Sequence, residues 1–167
     1  MDFFLQNPTQ RLRVRQIERE VQVPLPSAIK YAGELEKEGF LKSTTVADIR
    51  LYQSDRMSSS FLLEKRVFNL RRFYASGIRE FLIDHYSNPT VVVFGSYALG
   101  EDTEESDVDI YVESPSNTLS NVKKFEEILQ RKIQLFTSKK ISFIKNKDLA
   151  NNILNGITVN GFMEVFR

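Results

Sequence analysis

Residues 91–112 read VVVFGSYALGEDTEESDVDIYV, and in this stretch two apolar runs flank an acidic loop. The first run, VVVF (91–94), is typical of a buried β-strand because it consists of β-branched and aromatic residues. It ends at Gly95, which permits a turn that a Cβ would block, and is followed by Ser96. Successive amide groups at such a turn form a donor site for phosphate oxygens, to which Ser96 adds a hydroxyl. The run therefore predicts a buried strand followed by a phosphate-binding turn.

The second apolar run, DVDIYVE (107–113), predicts a neighbouring strand. Side chains alternate between the two faces of a strand, so Asp107 and Asp109 should share one face while the apolar residues enter the core. Two such carboxylates repel each other unless a cation lies between them. Mg²⁺ (or Mn²⁺), which prefers one or two carboxylates together with substrate phosphates, is the expected ion. Beside a phosphate-binding turn, this pair indicates phosphoryl or nucleotidyl chemistry.

Charge is unevenly distributed along the 167 residues, although the net charge is only +1. Residues 91–115 carry seven acidic and no basic side chains, whereas residues 116–167 carry nine basic and four acidic ones. The acidic segment attracts metal cations, and the basic flanks are available to a polyanion. The composition, 41% hydrophobic and 27% charged, is that of an ordinary globular protein.

Several classes of protein and site are excluded by composition. The chain has no cysteine and a single histidine, His85, which excludes disulfides, thiolate metal sites and a histidine-rich zinc site. No apolar stretch approaches the roughly 20 residues that span a bilayer. The N-terminal sequence MDFFLQNPTQRLRVR does not have the pattern of a signal peptide. We therefore expect a cytoplasmic protein that makes no use of a membrane.

Residues 1–57 predict a small domain that consists of three helices and a hairpin. Ser27 is a candidate N-cap for the third helix, and Ala47-Asp48 is the expected turn of the hairpin. The three helices are predicted at residues 1–6, 11–21 and 27–40, and the hairpin at residues 40–53.

This order of elements, with the run LEKEGFL (35–41), resembles the winged helix-turn-helix domain of many prokaryotic regulators. In that family the second helix of the turn motif enters the major groove, so the resemblance implies double-stranded DNA as a partner. Dimerisation or protein contact is the alternative, because residues 1–60 are barely basic. Five basic side chains would contact DNA phosphates: Arg13, Arg15, Lys30, Lys42 and Arg50.

Residues 58–88 predict one long amphipathic helix that connects this domain to a second domain, residues 89–167. The basic face is expected to be solvated, with binding of a triphosphate or nucleic acid as the alternative. The apolar positions are Leu63, Val67, Leu70, Phe73, Ile78, Phe81 and Leu82. The basic positions are Lys65, Arg66, Arg71, Arg72 and Arg79.

An apolar strand is followed by Gly-Ser, an acidic loop and Asp-x-Asp. This combination resembles the signature of the nucleotidyltransferase superfamily that includes DNA polymerase beta, specifically that of its minimal branch. The tail NKDLANNILNGITVNG (146–161) is similar to the helix and final strand that close these small domains. The resemblance implies an α+β chain: a winged helix-turn-helix domain, then a small mixed-sheet nucleotidyltransferase domain with flanking helices. The matching residues are Gly95, Ser96, Gly100, Ser106, Asp107 and Asp109.

The same resemblance implies the roles of the site residues. Gly95, Ser96 and Ser106 would hold the triphosphate. Asp107 and Asp109 would ligate Mg²⁺ or Mn²⁺ and promote transfer of a nucleoside monophosphate from an NTP, with ATP the expected donor, to an unidentified acceptor.

The family usually has a third carboxylate on a later strand, and here the matching strand RKIQLFTS (131–138) has Gln134 in that position. A glutamine side chain carries no charge and cannot serve as a base. The leading hypothesis is therefore a nucleotidyltransferase whose catalytic rate would be lowered by the loss of this carboxylate. The alternative is a DNA-binding transcriptional regulator, or an antitoxin-like partner of a HEPN-type nuclease, whose nucleotidyltransferase domain is weakly active or inactive. An oligomer is compatible with either hypothesis.

Overall fold

The computed structural model describes residues 1–116 and 121–165. The chain folds into two compact units, one up to Phe68 and the other from Asn69 onward. The division falls inside a helix, whereas the sequence places the domain boundary ahead of that helix. In the described residues, no helix combines the length and the apolar character that crossing a membrane would require.

The first unit has the predicted order of three helices followed by a hairpin. The strands pair antiparallel, and Val46 opposite Ile49 leaves Ala47 and Asp48 as a two-residue turn. Both turn residues have positive φ, 46° and 61°, as the right-handed twist of the flanking strands favours. The elements are α1 (Asp2–Gln6), α2 (Val14–Val21), α3 (Leu25–Lys37), β1 (Leu41–Val46) and β2 (Ile49–Ser54).

Helix α3 differs from the sequence prediction at its start. It begins at Leu25 with Pro24 as N-cap, so Ser27 lies in the first turn and is not the cap. The first turn tolerates proline because its N–H groups have no partner within the helix, and Pro26 is therefore accepted there. Ala28 faces the core, while Ile29 is exposed.

The predicted single helix over residues 58–88 is wrong, because the chain forms two helices, α4 (Ser59–Ala75) and α5 (Ile78–His85). Gly77 adopts a left-handed φ of 77°, which interrupts the helix at little cost for a residue without a Cβ. The Ser76 hydroxyl donates to the Phe73 carbonyl and accepts from the Ile78 amide, which satisfies backbone groups at the break.

The predicted faces are also wrong in the first half of α4. Lys65, expected on the solvated face, is buried, with its Nζ 5.8 Å from the centre of the Phe68 ring. Leu63 and Val67, expected to be buried, are exposed. Phe61 and Phe68 supply the apolar contacts of this part of the helix instead.

The second unit is built on a four-stranded mixed sheet, as the family resemblance implies. The strand order is β5-β4-β3-β6, with β4 and β5 parallel and the other pairs antiparallel. After α5, the elements are β3 (Thr90–Phe94), α6 (Gly95–Leu99), β4 (Val108–Glu113), α7 (Lys123–Leu129), β5 (Ile133–Ser138), a 3₁₀ turn (Ile141–Phe143), α8 (Lys147–Leu154) and β6 (Ile157–Asn160).

Alternation along β3 and β4 gives this sheet two apolar faces. Val91, Val93 and Ile110 join the larger core, together with side chains of α5 and α7. Val92 and Tyr111 point the other way, into a smaller core with the 3₁₀ turn and α8. Asp109, two residues before Tyr111, shares the second face, which is where the sequence places the aspartate pair.

Candidate active site

Gly95 and Asp109 are brought together by the pairing of β3 with β4. The register sets Phe94 opposite Asp109, so the first residue of α6 lies against the aspartate side chain. Gly95 has a φ of 69°, and a Cβ added there would overlap the Asp109 Oδ2 atom. Glycine is therefore required at this position both for the backbone angle and for the close approach of the carboxylate.

Asp107 and Asp109 flank Val108, which is fully buried in the larger core. Both aspartates are themselves partly buried. Burial raises the pKa of the Asp109 carboxyl, and the negative charge of Asp107 raises that pKa further. The pair is therefore a place where added positive charge is favoured.

Gln134 lies beside these aspartates because β5 runs parallel to β4 with Gln134 opposite Asp109. Its Nε2 donates a hydrogen bond of 2.5 Å to the Asp107 Oδ2. A neutral amide thus contacts the aspartate pair at the position where the family resemblance places a third acid. Among the described residues, no group of three or more histidine, cysteine and acidic side chains is arranged to hold a metal ion.

The two serines of the motif have different surroundings. Ser96 lies partly buried in the first turn of α6, where its carbonyl accepts the Glu101 amide at 2.9 Å. Ser106 closes a turn in the acidic loop: its Oγ accepts the Thr103 amide at 2.9 Å and lies 3.2 Å from the Thr103 hydroxyl. The contacts of Ser106 therefore order the loop just before Asp107.

A buried polar network, which the sequence analysis missed, fixes the other end of that loop. The Asn69 amide donates to the Asp102 Oδ1 at 2.7 Å and to the Tyr97 carbonyl at 2.8 Å. Tyr97 returns a hydrogen bond from its hydroxyl to the Asn69 carbonyl at 3.0 Å. Arg131 lies 4.0 Å from Asp102, and both side chains are almost fully buried. The network joins α4, α6, the acidic loop and the residues just before β5, so it positions the helix that follows the glycine turn and the loop that leads to Asp107.

Two arginines from the predicted solvated face also have structural contacts. Arg72 donates to the carbonyls of Ile128 and Leu129, both at 3.1 Å, at the C-terminal end of α7. Arg79 donates to the Val159 carbonyl at 2.8 Å on β6. These side chains hold helices and strands in place around the sheet.

The model of one family, described as "Nucleotidyltransferase domain", matches residues 75–159, which is half of the chain. The chain belongs to this family. The match begins at the last residue of α4 and includes the sheet, the glycine turn and both aspartates. A Methanocaldococcus jannaschii protein, provisionally named a protein adenylyltransferase, is 41% identical over 70 residues. That alignment covers 38% of this chain and 70% of the relative.

The residues of this nucleotidyltransferase domain fit a hard divalent cation, although they supply few ligands. Both candidate ligands are carboxylates, which Mg²⁺ and Mn²⁺ prefer. Burial and the neighbouring Asp107 charge both raise the pKa of Asp109, and a cation beside the pair would oppose this effect. In the part of the chain that the structure describes, no third carboxylate joins the pair, so phosphate oxygens of a nucleotide would have to complete the shell.

A groove of about 640 Å³ opens beside Asp107 in the nucleotidyltransferase domain. Glu104 and Glu105 line it on the loop side, and Lys123 and Glu127 line it on the α7 side. Asp107 lines this groove, whereas Asp109 and the glycine turn lie outside its lining.

The five basic residues proposed to contact DNA lie outside the matched segment. Three of them have acidic neighbours: Arg50 lies 2.5 Å from Glu36, Lys42 lies 3.3 Å from Asp55, and Lys30 lies 3.8 Å from Glu34. Arg13 and Arg15 are exposed at the start of α2.

Proposed function

We propose that this chain is a metal-dependent nucleotidyltransferase that moves adenosine monophosphate from ATP to an acceptor hydroxyl. The observation that carries the proposal is the pair Asp107 and Asp109, held on one sheet face against the glycine turn, with the pKa of Asp109 raised by burial and by its neighbour. Nothing in the folding of the sheet requires two carboxylates in this position.

Each residue of the site would have a distinct role in the transfer. Asp107 and Asp109 would hold Mg²⁺ or Mn²⁺, which offsets the charge that develops on the phosphates during transfer. Gly95 lets the backbone approach the nucleotide closely, and Ser96 offers a hydroxyl to the triphosphate. The acceptor oxygen bonds to the α-phosphorus, the bond to the β-phosphate bridging oxygen breaks, and pyrophosphate leaves. The Gln134 amide cannot take the acceptor proton, which would leave to solvent water.

A protein side chain is the acceptor to test first, because the archaeal relative is provisionally named a protein adenylyltransferase. The test is incubation with ATP labelled at the α-phosphate and Mg²⁺ or Mn²⁺, with the chain itself and candidate proteins as acceptors. We expect label from the α-phosphate, and none from the γ-phosphate, to become covalently attached.

The test variant for this assay combines Asp107→Asn with Asp109→Asn. The matched control is Asp84→Asn, at an exposed position of α5. The double variant should fold but lose metal-dependent nucleotide binding, whereas the control should keep it. Unchanged nucleotide affinity in the double variant would remove these aspartates from the proposal.

The second candidate function is regulation or partner binding, and the contact of Gln134 with Asp107 favours it. In this case residues 1–57 form a winged helix-turn-helix domain that binds DNA, residues 58–88 connect it, and residues 89–167 bind ATP with little or no transfer. A HEPN-type protein is the alternative partner. ATP binding without covalent label on any acceptor would support this candidate over the enzyme.

A further inference from the structure

The positive charge of the C-terminal part of the chain is densest in a short segment that follows β5. Residues 139–145 read KKISFIK and contain three lysines, one aromatic residue and no acid. We call this stretch the lysine segment. In the part of the chain that the structure describes, none of its three lysine side chains forms an ion pair. All three are exposed: Lys139, Lys140 and Lys145.

These lysines are not placed to protect an open sheet edge. β5 is the outermost strand on its side of the sheet, and lysine on such a strand discourages pairing with another chain. However, β5 itself contains no lysine, and the lysine segment begins after its last residue, Ser138. The segment ends before α8, whose first lysine, Lys147, is followed directly by Asp148. The charge of the lysine segment is therefore available to a polyanion.

The exposure of Phe143, at the centre of the segment, follows from a backbone that is held in place. The Ile141 amide donates to the Glu113 Oε2 at 3.0 Å, and the Phe143 amide donates to the Lys140 carbonyl at 3.0 Å. Ile141 and Ile144 pack into the smaller core, while the Phe143 side chain is 62% exposed. A single exposed apolar residue is common on a protein surface, so its significance here comes from the lysines on both sides of it.

We propose that the lysine segment binds single-stranded nucleic acid, with one base stacked on the Phe143 ring and the neighbouring phosphates on the lysines. A nucleotide strand carries a negative charge on either side of each base, and the lysines flank Phe143 in the same way along the chain. Stacking on a ring tolerates any base, so we expect little sequence preference. The proposal is independent of nucleotidyl transfer, because the segment contains neither Asp107, Asp109 nor the glycine turn.

The surface beside the 3₁₀ turn favours a strand with bases over a membrane or an acidic protein. A groove of about 250 Å³ adjoins the turn, and its lining includes Ile141, Ile144, Ala150 and Leu154. This concave apolar surface can receive the flat face of a second base. A membrane-binding surface instead projects a broad apolar face into the lipid, whereas the lysine segment projects one ring. An acidic protein would use the lysines but has no need of the ring.

The test is binding of the full chain to fluorescently labelled single strands of about 12 nucleotides, one of uridine and one of thymidine, by anisotropy at several salt concentrations. We expect a dissociation constant of about 1–100 µM at physiological salt for at least one strand. The slope of log affinity against log salt should be about −2, since three lysines each neutralise a phosphate. The tighter strand distinguishes RNA from DNA as the ligand. If neither strand binds at about 500 µM protein, the proposal is wrong.

The stacked base is tested by Phe143→Leu, which removes the ring and keeps the charges. Affinity should fall about tenfold with an unchanged salt slope. Phe162→Leu is the matched control, because Phe162 is 71% exposed and follows β6 at the opposite edge of the sheet. An equal loss in both variants would overturn the assignment of Phe143. Poly-glutamate that competes as well as an unlabelled strand of equal charge would show that bases are not recognised.

The phosphate contacts are tested by Lys139→Gln combined with Lys140→Gln. This double variant should bind more weakly, and its salt slope should be less steep by about 1.4. The combination of Lys123→Gln with Lys132→Gln removes the same charge from exposed positions elsewhere in the second unit and should leave the slope unchanged. Equal changes in the two double variants would reduce the effect to net charge and overturn the site. Binding to phosphatidylserine vesicles without binding to either strand would identify a membrane surface instead.

Discussion

At the scale of single residues, the surroundings of Asp109 disfavour the ionised form of its carboxyl group. Its side chain contacts Gly95, lies partly buried and has Asp107 as a neighbour. Burial and the neighbouring charge both raise its pKa. In the metal-free protein this residue therefore retains its proton to a higher pH than an ordinary aspartate.

This shift predicts a pH-dependent effect of Asp109→Asn on the metal-free protein. A carboxyl whose folded pKa is raised contributes stability at low pH, and that contribution is lost as the pH rises through the folded pKa. At pH 7 the variant should thus unfold at a higher urea concentration than the wild type. The difference should shrink as the pH falls toward the ordinary aspartate value of 3.8. A stabilising effect that persists or grows at low pH would contradict the prediction, and Asp84→Asn serves as control.

Gln134 supports a second prediction at this scale. Gln134→Asp replaces the amide that contacts Asp107 with a third carboxylate, which should strengthen binding of Mn²⁺ with ATP by about tenfold, or about 1.4 kcal/mol. It should also raise transfer activity where an acceptor is present. Gln134→Asn has the same size as the aspartate variant without the charge and should not strengthen binding. Equal Mn²⁺ affinities of the two variants, measured by calorimetry, would show that position 134 does not contribute a ligand.

The sequence predicts the residues of the motif but not those that hold it in place. Asp107 and Asp109 follow from strand alternation, because a period of two puts both on one face whatever surrounds them. Asp102 is one of seven acids in residues 91–115, and nothing in the pattern separates it from the solvated ones. Its burial depends on Asn69, 33 positions earlier, and such a distant contact leaves no local signal.

At the scale of elements, local rules predict the hairpin and the strands well and the helices less well. Two-residue turns and alternating strands are specified by a few adjacent residues, so β1, β2, β3 and β4 lie close to where the sequence places them. Helix α4 has apolar residues on two sides, and periodicity alone cannot tell which side faces the core. The break before α5 depends on Gly77 and Ser76, whose hydroxyl bonds are visible only in the structure.

The network around Asn69 gives a prediction at the element scale. Asn69→Ala removes two donated hydrogen bonds and leaves the Asp102 carboxylate and the Tyr97 carbonyl without them in the core. We expect the free energy of unfolding to fall by about 3 kcal/mol, since the buried Asp102 carboxylate and the Tyr97 carbonyl each lose a hydrogen bond. Urea denaturation measures this decrease. Asn152→Ala, on an exposed position of α8, should change stability by less than about 0.5 kcal/mol. Equal effects of the two substitutions would mean that the network contributes no net stability.

At the scale of the whole molecule, the chain combines a family domain with a preceding unit that the family match does not include. The order of helices and hairpin in that unit was predictable, because it rests on local periodicity and turn residues. The role of that unit was less predictable, since three of the five basic side chains proposed to contact DNA have acidic neighbours in the fold.

The first unit therefore gives a conditional prediction about DNA. If it binds duplex DNA, replacing both Arg13 and Arg15 with alanine should weaken binding to all sequences alike. The slope of log affinity against log salt should fall by about one for each arginine that no longer neutralises a phosphate. Lys147→Ala, in the second unit, should leave the slope unchanged. A gel-shift screen without any binding at low salt would favour the protein-contact role instead.

The contact between Gln134 and Asp107 also has a genetic consequence. Glutamine and glutamate have the same shape, and their codons differ only in the first base. A single point mutation in the gene would thus put a carboxylate where the amide now contacts Asp107, without any change in the packing of β5. The fold keeps that place open on the surface, as Gln134 is exposed. A lineage that carries this chain can therefore gain or lose a third acid in one mutational step, while the fold around position 134 stays the same.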